Sequence, residues 1–231
     1  MDNLENPFLR AEWLLGGEAI ARLRDSHVAI FGIGGVGSYA AEALARCGVG
    51  ELTLIDHDVV SVTNINRQIH ALRSTIGKRK VDVMRGRVLD INPEARVNAL
   101  PVFFNEHTEL NWDFDYVIDA VDTVTAKLQI ILTAKQLNVP VVSAMGAGNK
   151  LDPTRFLAAD IYETRVCPLA KVMRQLCRRY GIASLRVVYS TEVPREVPVS
   201  GRKMIGSIAF APAAAGLALA FEAVNGLTGM V

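Results

Sequence analysis

The sequence predicts an α/β protein with a Rossmann-like, mostly parallel sheet and flanking helices, the C-terminal part extending that sheet. Short apolar runs typical of buried strands alternate with helical patterns along the chain. A glycine-rich loop, residues 32–38, joins the first run to a helix, and an acid, Asp56, ends the next run. With 231 residues, 50% hydrophobic content and 21% charge, the chain can bury the core of one globular domain.

The glycine loop is the first nucleotide-binding signal. The apolar run 28–31 is the strand before it, and Gly32 permits the tight turn that follows. Gly34 lets the main chain approach phosphate oxygens, and Gly37 allows the helix that starts near Ser38 to pack closely on the strand. That helix offers free amides and a positive dipole to an anion. The candidate nucleotide-binding glycines are Gly32, Gly34, Gly35 and Gly37.

The second signal is the acid at the end of the next strand. Asp56 follows the apolar run 52–55, about 20 residues beyond the loop, where a carboxylate accepts ribose hydroxyls. A glycine loop alone is a weak signal, but strand, loop, helix, strand and acid occur here in that order. The sequence therefore predicts a nucleotide site rather than a glycine turn without a ligand.

The remaining elements continue the alternation. The chain opens with a helical segment, residues 7–23, interrupted near Gly16 and Gly17. Further helices are predicted over 78–90, 123–137, 168–180 and 208–221, and further strands over 96–100, 116–119, 139–144, 156–161 and 185–189, with an irregular segment at 191–202. We expect one ATP-binding domain, residues 1–231, made of an N-terminal helical segment 1–26, a nucleotide-binding core 27–150 and a substrate-side and C-terminal helix region 151–231.

Composition and cysteine usage bear on nucleic-acid binding, on zinc binding and on the cellular compartment. The net charge of +1 gives no overall field, so a nucleic-acid surface has to be a local patch. Cys47, Cys167 and Cys177 are odd in number and form no CxxC pair, which argues against a cysteine zinc site and indicates a reducing compartment. No signal peptide is evident, and the expected location is the cytoplasm.

The apolar stretch from Ile208 to Phe221 invites a membrane interpretation. It contains Pro212, is dominated by alanine and ends at Glu222, well short of about 20 strongly apolar residues. We therefore predict a buried helix of small residues and no integral membrane span. Docking on a membrane surface is left open.

Two cations narrow the nucleotide prediction. Arg67 follows Asn64, and Lys80 ends the run Lys78-Arg79-Lys80. A guanidinium and an ammonium fixed near phosphates suit a site that breaks ATP better than one that only holds NAD. Each has an alternative role: Arg67 in a surface pair with Asp58, and Lys80 in a solvated helix start, although the helix dipole disfavours cations there.

The nearby acids and histidines also have alternative roles. Asp122 follows a predicted strand and is either a metal ligand or the cap of the next helix. Asp119, at the end of that strand, is predicted to be structural. The histidines show no metal-ligand spacing with the cysteines, and three are predicted to be non-catalytic: His57, His70 and His107.

Four motifs, taken in order, resemble the ThiF-like, ATP-dependent adenylating superfamily that activates ubiquitin and the bacterial sulfur-carrier proteins. They are GIGGVGS at 32–38, LIDHDVVSVTNINRQ at 54–68, GKRK at 77–80 and DAVDT at 119–123. Within that superfamily, the segments 66–72, 91–93, 146–148 and 151–153 look most like the tRNA threonylcarbamoyladenosine dehydratases. The resemblance extends from Phe8 to about Leu227, nearly the whole chain.

The resemblance implies a role for each site residue. It implies that Asp56 binds ribose, that Asp58 and Asn64 orient the nucleotide, that Arg67 and Lys80 hold the triphosphate, that Gln68 joins the nucleotide-binding set and that Asp122 places Mg²⁺. In the superfamily an arginine from the N-terminal helix of a partner subunit reaches the γ-phosphate. Arg10 is its counterpart here, which implies a homodimer; the alternative is a surface pair with Glu12 or Glu18. The candidate catalytic residues are Arg10, Arg67, Lys80 and Asp122.

The activity implied by the resemblance is ATP-dependent cyclisation of threonylcarbamoyladenosine in tRNA. The carboxylate of the modified base is adenylated, and the base's own ureido group then displaces AMP. The missing CxxC pairs agree with a reaction that needs neither a catalytic thiol nor a carrier protein. Two alternatives stay open: adenylation of a ubiquitin-like sulfur-carrier protein, and NAD-dependent oxidoreduction, which leaves the two cations unexplained. A sulfur-transfer protein is a further partner left open.

A tRNA substrate requires a basic surface, and one predicted helix offers candidates. Lys171, Arg174, Arg178 and Arg179 put cations on adjoining faces of that helix. The patch is extended by Arg165, Arg186, Arg195, Arg202 and Lys203. Little aromatic interleaving is present for base stacking, and a solvated helix face is the alternative interpretation.

Overall fold

The computed structural model describes residues 6–199 and 202–230. The strands are β1 His27–Phe31, β2 Glu51–Ile55, β3 Arg96–Leu100, β4 Tyr116–Asp119, β5 Val141–Ala144, β6 Phe156–Asp160, β7 Arg186–Ser190, β8 Pro198–Val199 and β9 Arg202–Lys203. Seven of them form one sheet in the order β3-β2-β1-β4-β5-β7-β6, parallel throughout except that β6 runs antiparallel to β7. The predicted fold class, including a C-terminal extension of the sheet, is confirmed.

Helices cover both faces of this sheet. They are α1 Leu9–Leu15, α2 Gly17–Asp25, α3 Gly37–Arg46, α4 Lys80–Ile91, α5 Val124–Gln136, α6 Pro168–Arg179 and α7 Phe210–Thr228. The predicted interruption of the N-terminal segment lies at Gly16, whose φ of 86° suits glycine and separates α1 from α2. The segment predicted to be irregular contains the β8–β9 hairpin, so that prediction was wrong in part.

The sheet changes its winding direction at β1. Strand β2 pairs with one side of β1 and β4 pairs with the other, with Val28 opposite both Leu52 and Tyr116. A switch point of this kind leaves a crevice at the carboxyl ends of the strands, where ligands bind in open α/β sheets. The glycine loop after β1, Asp56 after β2 and Asp122 after β4 all follow strands at this end.

The apolar core has one layer on each face of the sheet. Helices α2, α3, α4 and α7 pack on one face, with Leu44, Met84 and Leu219 fully buried among them. Helices α5 and α6 pack on the other face around Ile130 and Met173. Each helix therefore buries one side and leaves the other to solvent, as amphipathic helices of a three-layer fold do.

Aromatic rings hold the irregular segment between β3 and β4 against the second layer. The ring of Phe31 meets Phe104 edge-on at 4.9 Å and stacks on Trp112 at 5.4 Å between centroids. Phe114 is also buried. Offset and edge-on ring pairs add stability beyond the burial of their area. Side-chain packing therefore orders a segment for which the sequence predicted no helix or strand.

Helix α7 runs beyond the apolar stretch 208–221. It continues through Glu222, whose carboxylate is buried in an ion pair with Arg186 at 2.6 Å between Oε2 and Nε, and it ends at Thr228. Among the described residues α7 alone is long and apolar enough to cross a membrane, and half of its apolar stretch is buried inside the protein. It packs against α3 and the strands β4 to β7, which confirms the predicted buried helix, while Phe210, Leu217 and Phe221 stay exposed.

Strand β3 is one of the two edges of the sheet, β6 being the other. Arg96 on this strand pairs with Glu51 of β2 at 2.7 Å, and the Asn98 amide donates to the same carboxylate at 3.0 Å. Polar side chains therefore line the last paired ladder of the sheet.

The contact between α3 and α7 generates a prediction about stability. A Cβ at Gly216 would lie 2.9 Å from the Tyr39 Cβ and closer still to the Val36 carbonyl. Because the obstacle includes main chain, Gly216→Ala should lower the free energy of unfolding by about 1–3 kcal/mol, measured by urea denaturation. The matched control is Gly86→Ala in α4, where a Cβ meets open space, and it should gain up to about 1 kcal/mol. Equal stability of the two variants would contradict the packing argument.

Candidate functional site

The glycine loop is shaped by close approach of main chain to main chain. Gly32 has a φ of 87°, and a Cβ there would lie 2.8 Å from the Ala120 carbonyl oxygen after β4. At Gly37, the first residue of α3, a Cβ would collide with the Gly32 carbonyl. Larger residues at either position would push α3 away from β1, so both glycines serve the roles that the sequence predicts for packing.

The other two glycines differ in their surroundings. A Cβ at Gly34 would meet nothing within 4 Å, so the main chain there faces open space. A Cβ at Gly35 would lie 3.3 Å from the Arg67 Cγ and 3.1 Å from the Pro212 Cβ. The loop is thus bare on one side, where a phosphate can approach its amides, and covered by Arg67 on the other.

Asp56 ties the loop to the end of β2. One carboxylate oxygen accepts the Ile33 amide at 2.7 Å, and the other accepts the Asp58 amide at 2.8 Å. Each oxygen keeps a second lone pair, so the predicted bond to a ribose hydroxyl is compatible with both contacts. The ribose-binding role stays a prediction, and the structure adds a positioning role that the sequence did not reveal.

Lys80 and Asp58 form an ion pair beside the loop. The Lys80 side chain is 6% exposed, and its Nζ lies 2.6 Å from Asp58 Oδ2, so a solvated helix start is the wrong alternative for Lys80. His57 adds its Nε2 at 3.3 Å from the same carboxyl group. Burial opposes ionisation of Asp58, but the hydrogen bond and charge of Lys80 outweigh it and hold the pKa of Asp58 below its usual value.

Arg67 has no acidic partner among residues 6–199 and 202–230. Its Nη1 donates to the Thr63 carbonyl at 2.8 Å and to Asn66 Oδ1 at 2.9 Å, both neutral acceptors. The alternative pair with Asp58 is wrong, because Asp58 is held by Lys80. A half-buried guanidinium over a phosphate loop, without a carboxylate to neutralise it, is suited to an anionic ligand.

Asn64 builds the turn that presents Arg67. Its side-chain oxygen accepts the Ser61 amide at 3.0 Å, and its carbonyl accepts the amides of Arg67 and Gln68, each at 3.0 Å. The described contacts of Asn64 are therefore local, and its part in orienting the nucleotide stays a prediction.

Three buried polar atoms have no partner in the described part of the chain, and all belong to the same turn. They are Oε1 of Gln68 and both ring nitrogens of His70. His70 is 1% exposed and lies near the charges of Lys80 and Arg87. Unpartnered buried polar atoms cost free energy, so this turn is less well satisfied than the core around it. The spacing of apolar residues in the sequence does not reveal buried polar residues without a partner, such as Gln68 and His70.

Two acids lie at the end of β4 and have different surroundings: Asp119 is the last residue of the strand, and Asp122 follows it. Asp122 is exposed, and its described contact is the Thr123 hydroxyl at 3.5 Å; Thr123 is the N-cap of α5 and no side chain caps that helix. The capping alternative for Asp122 is therefore wrong. Asp119 is fully buried and accepts from Lys127 at 2.8 Å and from Ser143 at 2.6 Å, while burial raises its pKa. Asp119 is structural, as predicted.

Two places among residues 6–199 and 202–230 at the carboxyl ends of the strands offer potential metal ligands. Asp122 offers an exposed carboxylate at the end of the strands. Ligand atoms of Asp56, His57 and Asp58 also lie within 4.8 Å of one another, but the two carboxylates already accept main-chain amides and Lys80. Asp122 is therefore the freer ligand of the two, and its metal-binding role stays a prediction.

Arg10 is exposed, and the three cysteines are buried or half-buried. Arg10 is exposed on α1 and, within the described residues, makes no ion pair with Glu12 or Glu18. Cys167 and Cys177 are buried and Cys47 is half-buried; burial raises the pKa of Cys47 and Cys177. Packed cysteines are thus confirmed for the two buried residues.

The basic helix is smaller as a free surface than the sequence predicts. Arg174 donates to the Thr164 carbonyl at 2.7 Å, and Arg186 is held by Glu222, so neither is free. The remaining exposed cations are Arg165, Lys171, Arg178, Arg179 and Arg195; the side chains of Arg202 and Lys203 lie outside the described residues. The expectation of little aromatic interleaving was wrong, because Arg178 lies over Tyr162 at 5.5 Å and Arg179 over Tyr180 at 5.9 Å.

The fold and the glycine loop define the class of protein, a nucleotide-binding α/β protein with the architecture of adenylating enzymes. The chain belongs to the ThiF family, whose model matches residues 10–230. The resemblance found in the sequence is therefore confirmed.

Individual relatives and solved structures show which members of the ThiF family this chain is similar to. The tRNA threonylcarbamoyladenosine dehydratase of Bacillus subtilis (strain 168) is 44% identical, covering 95% of this chain and 94% of that protein. The structure of E. coli tRNA N6-threonylcarbamoyladenosine dehydratase, TcdA, in complex with ATP matches with a TM-score of 0.89 and 36% identity, covering 99% of this chain and 96% of that chain. The molybdopterin-synthase adenylyltransferase of Escherichia coli (strain K12) is 37% identical over 52% of this chain and 49% of its own length.

His70 generates a prediction about pH. Burial, followed by the charges of Lys80 and Arg87, lowers its pKa from 6.5 to about 4. Between these values the unfolded chain binds a proton that the folded protein does not, so stability is complete above pH 6.5 and falls as the pH drops towards 4. The loss from this one group should approach about 3 kcal/mol.

Chemical denaturation across that pH range tests the assignment. His70→Phe should reduce the dependence of unfolding free energy on pH, whatever its effect on stability at neutral pH. The matched control is His107→Gln, since His107 is exposed and should leave the dependence unchanged. If the unfolding free energy of His70→Phe depends on pH as that of the wild type does, groups other than His70 cause the acid sensitivity.

Proposed function

We propose that this protein uses ATP to cyclise threonylcarbamoyladenosine in tRNA. The carboxylate of the threonylcarbamoyl group attacks the α-phosphorus of ATP, forming an acyl adenylate and releasing pyrophosphate. The ureido oxygen or nitrogen of the same base then attacks the activated carbonyl and releases AMP. The observation that carries the proposal is the 44% identity to a tRNA threonylcarbamoyladenosine dehydratase along 95% of the chain.

The site residues suit this chemistry because its main obstacle is electrostatic. A carboxylate and a triphosphate repel each other, so alignment and neutralisation of charge are expected to dominate catalysis. Arg67 lies over the glycine loop with neutral acceptors alone among its described contacts, and Lys80 is held beside it by Asp58. We assign both cations to the phosphates, with Gly34 and Gly35 presenting main-chain amides.

Mg²⁺ is the proposed metal. Asp122 fits it, because its exposed carboxylate follows β4 and its described contact is one hydroxyl at 3.5 Å. Carboxylate oxygen is a ligand that Mg²⁺ prefers, and the ion would add positive charge at the phosphates when bound.

The sulfur-carrier alternative is weaker in this chain. Its relative, a molybdopterin-synthase adenylyltransferase, aligns over about half of either protein, whereas the dehydratase relative aligns over nearly all of both. An NAD-dependent function has no comparable support. We propose the cytoplasm as the location and a single adenylating domain as the organisation; a sulfur-transfer protein partner is left open.

The assay that tests the proposal uses purified tRNA carrying the modified base, with ATP and Mg²⁺. Mass spectrometry of the nucleosides should show loss of one water from threonylcarbamoyladenosine. Arg67→Ala and Asp122→Ala should each slow turnover by two to three decades, about 3 kcal/mol of transition-state stabilisation, with the fold retained. The matched control is Arg73→Ala, an exposed arginine on the next turn, which should stay close to the wild type. An unchanged nucleoside together with an adenylated carrier protein would establish the alternative function.

A homodimer is the proposed assembly. Helix α1 has no buried residue within the described chain, and it exposes Trp13 and Leu14, the latter to 84%. Large apolar side chains on an exposed helix favour an interface. Arg10 lies on this same helix, without an ion pair to its neighbours Glu12 and Glu18. We propose that α1 docks on a second copy and brings Arg10 to that copy's triphosphate.

Complementation between variants tests the shared site. Arg10→Ala and Lys80→Ala should each be almost inactive as homodimers. Mixing them should form heterodimers in which one site carries both lesions and the other carries neither, and part of the wild-type activity should return. Subunit exchange is verified with tagged copies. Exchange without recovery would place Arg10 in its own subunit's site or outside catalysis.

The exposed part of α6 is the proposed tRNA surface. Lys171, Arg178 and Arg179 face solvent on this helix, and the last two stack on Tyr162 and Tyr180. Arginine and tyrosine planes together offer both charge for the phosphates and faces for unstacked bases. This local basic surface is suited to a nucleic-acid substrate even though the whole chain has a net charge of only +1.

A further inference from the structure

Asn66 joins two parts of the molecule that are far apart in sequence. Its Oδ1 accepts from Arg67 Nη1 at 2.9 Å, and its Nδ2 donates to the Ser207 carbonyl oxygen at 2.9 Å. An amide oxygen only accepts and an amide nitrogen only donates, so a single orientation of the side chain makes both bonds. Asn66 therefore connects the arginine above the glycine loop to the segment that leads into α7.

The described residues of that segment, 191–199 and 202–207 between β7 and α7, are named the strap. The start of the strap is held by Glu192, whose carboxylate accepts the main-chain amides of Leu151 at 3.0 Å and Asp152 at 2.9 Å.

The C-terminal part of the strap is held by Asn149, on the loop after β5, which has a left-handed φ of 59°. The main-chain amide of Asn149 donates to the Gly206 carbonyl at 2.8 Å, and its side-chain Oδ1 accepts the Gly206 amide. The main-chain carbonyl of Asn149 accepts the Arg195 amide at 2.8 Å. The strap thus lies across the carboxyl end of β5, on the substrate side of the sheet.

The outer side of the strap is apolar and faces solvent. Ile205 is 84% exposed and Val193 is 69% exposed, with Met204 exposed beside them. The part of the strap at residues 204–207 is held to the rest of the protein by hydrogen bonds with Asn66 and Asn149. Its exposed apolar side chains bury little area, so loss of those bonds allows this part to shift. A large substrate that covers this side changes the contacts of the strap directly.

Arg67 is sensitive to such a shift. Two hydrogen bonds from Nη1 set the direction of its guanidinium, one to the fixed turn at Thr63 and one to Asn66. Loss of the second leaves the planar group free to rotate away from the α-phosphate. Small errors in the placement of a catalytic group cost large factors in rate.

We propose that Asn66 is a positioning residue that couples the seating of the strap to the direction of Arg67, so that the nucleic-acid substrate promotes adenylation. This inference rests on the proposed function. Binding of tRNA shifts the strap towards the seated state only because it contacts that state better, and Asn66 transmits the difference to Arg67. ATP binding alone does not require the seated strap.

The test separates turnover from nucleotide affinity. Three variants are compared with the wild type: Asn66→Ala, Asn149→Gly and the double variant. Glycine suits the left-handed backbone at position 149, so Asn149→Gly loosens the strap without straining the fold or touching Arg67. The matched control is Asn98→Ala, which removes an exposed asparagine amide from the edge strand β3.

Two quantities are measured: the kcat for AMP release with modified tRNA, and the Kd for ATP without tRNA. Both single variants should lower kcat about fivefold, the effect of one hydrogen bond, while the Kd stays unchanged. The double variant should be no slower than the slower single variant, because both act through one link. Asn98→Ala should match the wild type, and thermal unfolding should show all variants folded.

Three results would overturn the inference. Wild-type kcat in Asn149→Gly would show that the strap does not reach Arg67. Losses that multiply in the double variant would show two independent effects. A higher Kd for ATP in Asn66→Ala would place that residue in nucleotide binding alone. Absence of tRNA-dependent turnover in the wild type is a different failure, since it removes the proposed function together with its regulation.

Discussion

The steric fit of the glycine loop is the constraint on which the rest of this structure depends. The carbonyl of Gly32 occupies the space that a side chain at Gly37 would need, and the Ala120 carbonyl does the same for Gly32. These contacts set the direction of α3, whose next contact is with Gly216 of α7. The glycine loop, which is predicted to receive phosphate, is therefore connected to α7, the helix that packs on β4 to β7. The connection runs through α3, which contacts the loop at Gly37 and α7 at Gly216.

Charge around the loop is arranged unequally. Lys80 is already paired with Asp58, and the buried side chain of Lys80 is held in place by that partner. Arg67 is bound by neutral oxygens and stays electrostatically available. In the proposed function, Arg67 is therefore the cation that can turn towards the reacting phosphate, while Lys80 supplies charge at a fixed place. This division agrees with a site in which one cation is rigid and another is adjustable.

The sequence was sufficient for the order of the elements and the nucleotide loop, because glycine spacing and apolar periodicity are local. It did not reveal the pair of Asp119 with Lys127, the ion pair that lets α7 run past Glu222, or the bond from Asn66 to Ser207. Each joins residues that only the strand order or the packing of a helix brings together. The roles of Asp58 and Lys80 as each other's partners were hidden for the same reason.

The polar edge strand has a consequence for association. An open edge exposes main-chain donors and acceptors that can add a strand from another chain, which leads to aggregation. On β3 the Arg96 and Asn98 side chains are drawn back to Glu51 of the neighbouring strand, leaving hydrated charge along that border. Addition of a strand at this edge is thereby disfavoured. This agrees with the proposed dimer contact through helix α1, where copies would meet without extending the sheet.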